Sequence, residues 1–150
     1  MQSNNYNHFT FSALCASAPG VTTARRFVIA GGGTGGHLFP GITIARECMQ
    51  RNPGNRALFV STGNPFERSA LSRSGFPLER ITVEGIKGRG LWKKLKSFTL
   101  LPFAVFQAWR VLRSYRPDLV VGVGSYAAGP VILAAWLMKI KIVLHEQNIL

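Results

Sequence analysis

A short apolar run that ends in a dense cluster of glycines limits this chain more than any other feature. Arg26-Phe27-Val28-Ile29-Ala30 is apolar at four successive positions, as strands buried on both faces of a parallel sheet are. Gly31-Gly32-Gly33-Thr34-Gly35-Gly36-His37 follows directly, and beyond it, from Pro40 to Gln50, Ile42, Ala45 and Met49 recur at helical spacing. A buried strand, a glycine turn and a helix make the first half of a βαβ unit.

The alternation then repeats along the chain. Asn52-Pro53-Gly54-Asn55 reads as a turn, Ala57 to Ser61 as a strand, Pro65 to Ser74 as a helix stopped by Gly75, and Ile81-Thr82-Val83 as a third strand. A helix is predicted from Phe98 to Tyr115, with Phe98, Leu101, Val105, Trp109 and Leu112 packing the core and Pro102 in the first turn. Pro117 and Asp118 end it. Leu119 to Val123 is the next strand, Pro130 to Met138 a helix opened by proline, and Lys141 to Leu144 the last strand. The expected fold is α/β: a Rossmann-like parallel sheet with helices on both faces. Leu119 to Met138 is a 20-residue stretch without a formal charge, long enough to cross a bilayer. Gly122, Gly124, Gly129 and Pro130 break it into strand, turn and helix.

Residues 1–24 are polar, rich in Ser, Ala and Asn, and without hydrophobic periodicity. They are expected to be a disordered extension, with residues 25–150 forming one domain. Phe9 to Ala18 is too broken by Ser and Thr, and too poor in preceding basic residues, to read as a cleaved signal. Cys15 and Cys48 have neither metal-ligand spacing nor a CxxC context, which fits reduced thiols. Eighteen Lys and Arg against six acids give a net charge of +12, a field that draws anionic partners. Nucleic acid is disfavoured among them, because no reader motif is present and the glycine loops would go unused.

Polar clusters at residues 31–37, 122–130 and 145–148 all follow predicted strands. In open α/β sheets ligands lie beyond the carboxyl ends of the strands, so the three clusters should share one rim. Gly31, Gly33 and Gly36 formally fit the dinucleotide spacing, but that reading needs an acid at the end of the second strand, where Ser61-Thr62-Gly63-Asn64 stands. His37, at the loop-to-helix junction, is either a proton-transfer group or a structural cap of the loop. Gly122-Val123-Gly124-Ser125-Tyr126-Ala127-Ala128-Gly129-Pro130 is a second glycine turn. His145-Glu146-Gln147-Asn148 offers a carboxylate and two amides suited to sugar hydroxyls. Asp118 is the sole aspartate, so no DxD metal motif exists, and neither metal nor cofactor is expected.

Taken in order, Gly32-Gly33-Thr34-Gly35-Gly36-His37 with Pro40, the Gly-x-Gly-x-Tyr-x-x-Gly-Pro loop and His-Glu-Gln-Asn resemble the N-terminal domain of the MurG family. Glu84-Gly85-Ile86-Lys87-Gly88-Arg89-Gly90 resembles that family's basic loop after the third strand, and the similarity runs from about Phe27 to Leu150. The resemblance implies the N-terminal half of a two-domain GT-B glycosyltransferase. Such an enzyme moves N-acetylglucosamine from UDP-N-acetylglucosamine to undecaprenyl-pyrophosphoryl-muramoyl-pentapeptide, with inversion, and needs a C-terminal donor domain that residues 25–150 do not supply. It also implies that Thr34, Gly35, Gly36 and Asn148 meet the donor, that His37 is the base, and that Tyr126 and Glu146 shape the acceptor pocket. The family's tyrosine loop usually has glycine before the tyrosine and serine two residues after it. Here Ser125 and Ala128 stand at those places.

Between Lys87 and Arg116 lie eight basic residues and no acid. Leu91, Trp92, Lys93, Lys94, Leu95 and Lys96 combine apolar anchors with cations, as segments lying on an anionic membrane do. With the resemblance, this implies a peripheral protein on the cytoplasmic face of the bacterial inner membrane. The competing reading is a non-catalytic peripheral module that binds acidic or pyrophosphate lipids.

Overall fold

The computed structural model describes residues 23–83 and 91–145, those from 91 to 100 as backbone alone. The expected extension before residue 23, the basic loop at 84–90, Glu146 and Asn148 lie outside the described residues.

Nine elements alternate. β1 (Arg26–Ala30) leads to α1 (Gly35–Arg51), β2 (Arg56–Ser61), α2 (Pro65–Ser74) and β3 (Leu78–Arg80). Then come α3 (Leu91–Tyr115), β4 (Leu119–Gly122), α4 (Ala128–Leu137) and β5 (Lys141–Leu144). The strands form one five-stranded sheet in the order β3-β2-β1-β4-β5, and all four pairings are parallel. The α/β Rossmann-like expectation is borne out.

Alternation along each central strand builds two cores. Phe27, Ile29, Phe59, Leu119 and Val121 face α1 and α2, where Leu38, Ile42, Ala45 and Leu71 meet them. Val28, Val60 and Val120 face α3 and α4, where Ala108, Leu112, Val131 and Ala134 are buried. Each fully buried Phe or Leu contributes roughly 2 kcal/mol. The order of the sheet reverses direction between β1 and β4, and this is the point where ligands enter such sheets.

α2 begins and ends where the sequence places it. Asn64 accepts from the Glu67 amide in a capping box, Pro65 fills the first position, and Gly75 closes the helix at φ 74°. Other boundaries differ. α1 starts at Gly35, five residues before the expected Pro40, so the glycine cluster supplies its first turn and Pro40 lies inside it. The third strand is Leu78–Arg80, where Ile81 to Val83 was expected. Its register pairs Phe59 with Leu78 and Ser61 with Arg80, so β2 is used up before Thr82 and Val83 arrive.

α3 starts at Leu91, seven residues before the expected Phe98, and Pro102 falls in its interior. Its core stripe matches the expected one in Leu112, which is buried, and in Val105 and Trp109, which pack against the core, but not in Leu101. Ala104, Ala108 and Leu112 are buried, whereas Leu101 is 41% exposed, and Phe103 and Phe106 stand 51% and 54% exposed. Small alanines let the helix sit close to the sheet, and the bulky residues move to its flanks. Trp109 lies between Phe106, at a centroid distance of 6.0 Å, and the Arg113 guanidinium at 5.0 Å. Cys48 is buried on α1, and Cys15 lies outside the described residues. Among the described residues, no helix is long and apolar enough to cross a membrane.

Candidate functional site

The β1–α1 and β4–α4 loops leave adjacent strands at the reversal point and meet there. A Cβ on Gly31 would overlap the Gly124 carbonyl oxygen, and one on Gly33 would lie 3.7 Å from Ser125 Cβ. Gly124 itself has φ 96°, and a Cβ there would fall 2.8 Å from His37 Nδ1. Only glycine fits between the loops at that position. The His37 side chain therefore lies on the second loop's backbone. Its Nδ1 is buried and has no hydrogen-bond partner among the described residues.

The first loop is held from below by a residue that the sequence reading missed. Glu67 is fully buried. Its Oε1 accepts short hydrogen bonds from the Gly33 amide and, at 2.6 Å, from Ser61 Oγ. Its Oε2 accepts from Thr62 Oγ1 at 3.0 Å and from the Asn64 amide at 2.9 Å. Burial alone raises the pKa of this carboxyl. The bonds from Ser61, Gly33, Asn64 and Thr62 outweigh that and hold it below the usual carboxylate range. A Cβ on Gly32 would stand 2.6 Å from Ser61 Oγ and closer still to Glu67 Oε1, so that glycine makes room for the carboxylate. Asn64-Pro65-Phe66-Glu67 carries the N-cap-to-N3 spacing of a capping box, the signal from which Glu67 was readable.

The remaining site residues fall as follows. Thr34 is the N-cap of α1 without a side-chain cap bond, and the first turn holds no acid. Among the described residues the Thr34, Gly35 and Gly36 amides have no partner, so a helix N-terminus with free donors faces the rim. Tyr126 is 54% exposed on the second loop, and Ser125 beside it has φ 77°. The His145 amide donates to Gly122 O at 2.8 Å, so the chain reaches the same rim just before Glu146. Leu91, Trp92, Lys93, Lys94, Leu95 and Lys96 occupy the first turns of α3, in a different element from the rim loops. An exposed aromatic pair, Phe39 and Phe66, also flanks the rim, with ring centroids 6.2 Å apart and edge to face. Nothing in their spacing marked them. Among the described residues no group of three His, Cys, Asp or Glu side chains is placed to hold a metal.

A parallel sheet with two glycine loops meeting at its reversal point makes a Rossmann-like domain, and no acid at the end of β2 is free to hold the ribose of a dinucleotide. Residues 27–150 match the Glycosyltransferase family 28 N-terminal domain, and the chain belongs to that family. It is 53% identical over 123 residues to the UDP-N-acetylglucosamine--N-acetylmuramyl-(pentapeptide) pyrophosphoryl-undecaprenol N-acetylglucosamine transferase of Anaeromyxobacter dehalogenans, covering 82% of this chain and 32% of that protein. The enzyme of the same name from Myxococcus xanthus is 48% identical over 125 residues, covering 83% and 33%. The crystal structure of Acinetobacter baumannii MurG superposes with a TM-score of 0.69 at 33% identity, covering 84% of this chain and 36% of that one. The resemblance to the MurG family is thereby borne out. The chain spans about a third of the length of these relatives.

Proposed function

We propose that this chain is the acceptor-side half of a transferase that moves N-acetylglucosamine from UDP-N-acetylglucosamine to undecaprenyl-pyrophosphoryl-muramoyl-pentapeptide, the step that makes the disaccharide precursor of peptidoglycan. The relatives' names support the reaction, and the contact between His37 and Gly124 carries the assignment of this half. That contact ties the helix end with free amides to the tyrosine loop, so donor and acceptor sites share one wall. A second domain, which relatives three times as long have room for, supplies the rest of the donor pocket.

In this reading Nδ1 of His37 is turned into the protein, and Nε2 is left to meet substrate. It takes the proton from the muramyl 4-hydroxyl as that oxygen bonds to the anomeric carbon. The bond from that carbon to the UDP oxygen breaks on the opposite face, which inverts the centre. The Thr34, Gly35 and Gly36 amides meet the donor, where the helix dipole favours negative charge. Tyr126 and Glu146 bound the acceptor pocket, and Asn148 reaches the donor.

The protein is further proposed to lie peripherally on the cytoplasmic face of the inner membrane through the start of α3. By the helical repeat, positions 92, 95, 103 and 106 fall on one side of that helix, and the exposure of Phe103 and Phe106 supports an apolar face there. Each cation near anionic headgroups adds on the order of 1 kcal/mol. His37→Ala in the transferase that carries this chain tests the reading. Turnover falls by at least about 100-fold with the thermal midpoint unchanged. Near-normal turnover removes His37 as the base.

A further inference from the structure

The glycine loop lies directly over a buried negative charge. Glu67 takes the Gly33 amide and occupies the place that a Gly32 side chain would fill, so the Gly33 N–H is not offered to a phosphate as in a dinucleotide loop. A phosphate placed at Gly32 or Gly33 would also face the carboxylate across a short, poorly hydrated gap. Three amides further on, at Thr34, Gly35 and Gly36, remain free. The direction in which they point is fixed by the turn that Gly33 makes, and that turn is fastened to α2 twice. The Gly33 amide is bound by Glu67, and the Gly33 carbonyl accepts from Asn64 Nδ2 at 3.3 Å. Glu67 is in turn held by Ser61 and Thr62 at the end of β2. The sheet, α2 and the loop are therefore joined in one hydrogen-bonded network.

We propose that Glu67 is a positioning residue of the donor site: it removes Gly33 from ligand binding and aims the Thr34–Gly36 amides at the anionic part of a sugar nucleotide. This rests on the reading above, in which those amides meet the donor. Glu67 touches no substrate, and its effect passes through the loop.

The test uses the transferase that carries this chain, with UDP-N-acetylglucosamine as the varied substrate. Glu67→Gln keeps the size of the side chain but leaves one acceptor oxygen for two backbone N–H groups, those of Gly33 and Asn64, and so loosens the loop or the cap. Ala70→Gly, at a buried core position of α2 that makes no hydrogen bond to the loop, weakens the same helix without removing a bond to Gly33. Glu67→Gln is expected to raise KM for the donor about tenfold or more, the factor carried by one charge-assisted hydrogen bond, with a smaller change in kcat. Ala70→Gly is expected to leave KM within about twofold. An unchanged KM in Glu67→Gln, or an equal rise in both variants, overturns the proposal. Should Glu67→Gln fail to fold, Ser61→Ala removes one of the bonds that fix Oε1; a raised KM then supports the proposal and an unchanged one overturns it. His37→Ala separates the two ideas. If it abolishes transfer while Glu67→Gln behaves like Ala70→Gly, the role of Glu67 falls and the functional reading stands. If His37→Ala transfers normally, the reading itself falls.

Discussion

His37 lies against Gly124 so closely that a Cβ on the glycine would stand 2.8 Å from Nδ1 of the imidazole. One missing methyl group thus lets the β1–α1 loop present its histidine at the rim. Gly124→Ala in the transferase has two effects. The backbone at φ 96° is strained by about 1–2 kcal/mol, and the ring is displaced by on the order of 1 Å, enough for roughly a 100-fold loss of turnover. Steady-state kinetics beside circular dichroism separates these effects. A folded, fully active Gly124→Ala protein would mean that the ring position does not matter.

Glu67 makes stability depend on pH in a defined direction. Its folded-state pKa is depressed, so the folded protein binds fewer protons than the unfolded chain between the two values. The group stabilises the fold above its unfolded pKa, and the contribution is lost as pH falls through the folded one. Glu67→Gln should therefore cost about 2–3 kcal/mol near neutrality. The gap between the two thermal midpoints should shrink as pH is lowered from about 7 toward about 3. A gap of constant size across that range contradicts the assignment.

Ser125 occupies a position that glycine would hold without strain. At φ 77° it sits in the left-handed region, at a cost of about 1–2 kcal/mol, part of which is offset because serine restricts the unfolded chain. Ser125→Gly should raise stability by roughly 0.5–1 kcal/mol, read as a higher midpoint in urea with an unchanged slope. A lower midpoint would show that the serine hydroxyl stabilises the loop more than its backbone strains it.

What the sequence revealed depended on how local the governing forces are. α2 was legible end to end because Asn64, Pro65 and Gly75 set its limits through bonds within a few residues. The two glycine loops were legible because close backbone approach leaves few alternatives. β3 was misplaced by three residues because an edge strand takes its register from its neighbour, and β2 reaches only to Ser61. On α3, hydrophobicity marked Leu101 for the core, but that residue is exposed and the sheet accepted Ala104 and Ala108 beside the expected Val105 and Leu112. Size at the contact decided that, and periodicity does not report it. Glu67 was overlooked because a capping glutamate looks alike whether it ends a surface helix or fastens a loop 34 residues away.

The start of α3 should behave as a membrane surface. Replacing Lys93, Lys94 and Lys96 with Glu should release the protein from vesicles of acidic phospholipid in a sedimentation assay. With about 1 kcal/mol lost per cation, affinity should fall by about 100-fold or more. Phe103→Ser with Phe106→Ser should weaken binding even at high salt, where charge is screened. Retention by both variants would place the attachment elsewhere on the molecule.

The central reaction is sugar transfer to the lipid acceptor. Its most direct test incubates the transferase that carries this chain with UDP-N-acetylglucosamine and undecaprenyl-pyrophosphoryl-muramoyl-pentapeptide, and follows the lipid by mass spectrometry. A lipid heavier by one N-acetylglucosamine residue is expected, with UDP released in equal amount and both lost in His37→Ala. A lipid that binds but never gains the sugar would contradict the transferase reading and leave a lipid-binding module in its place.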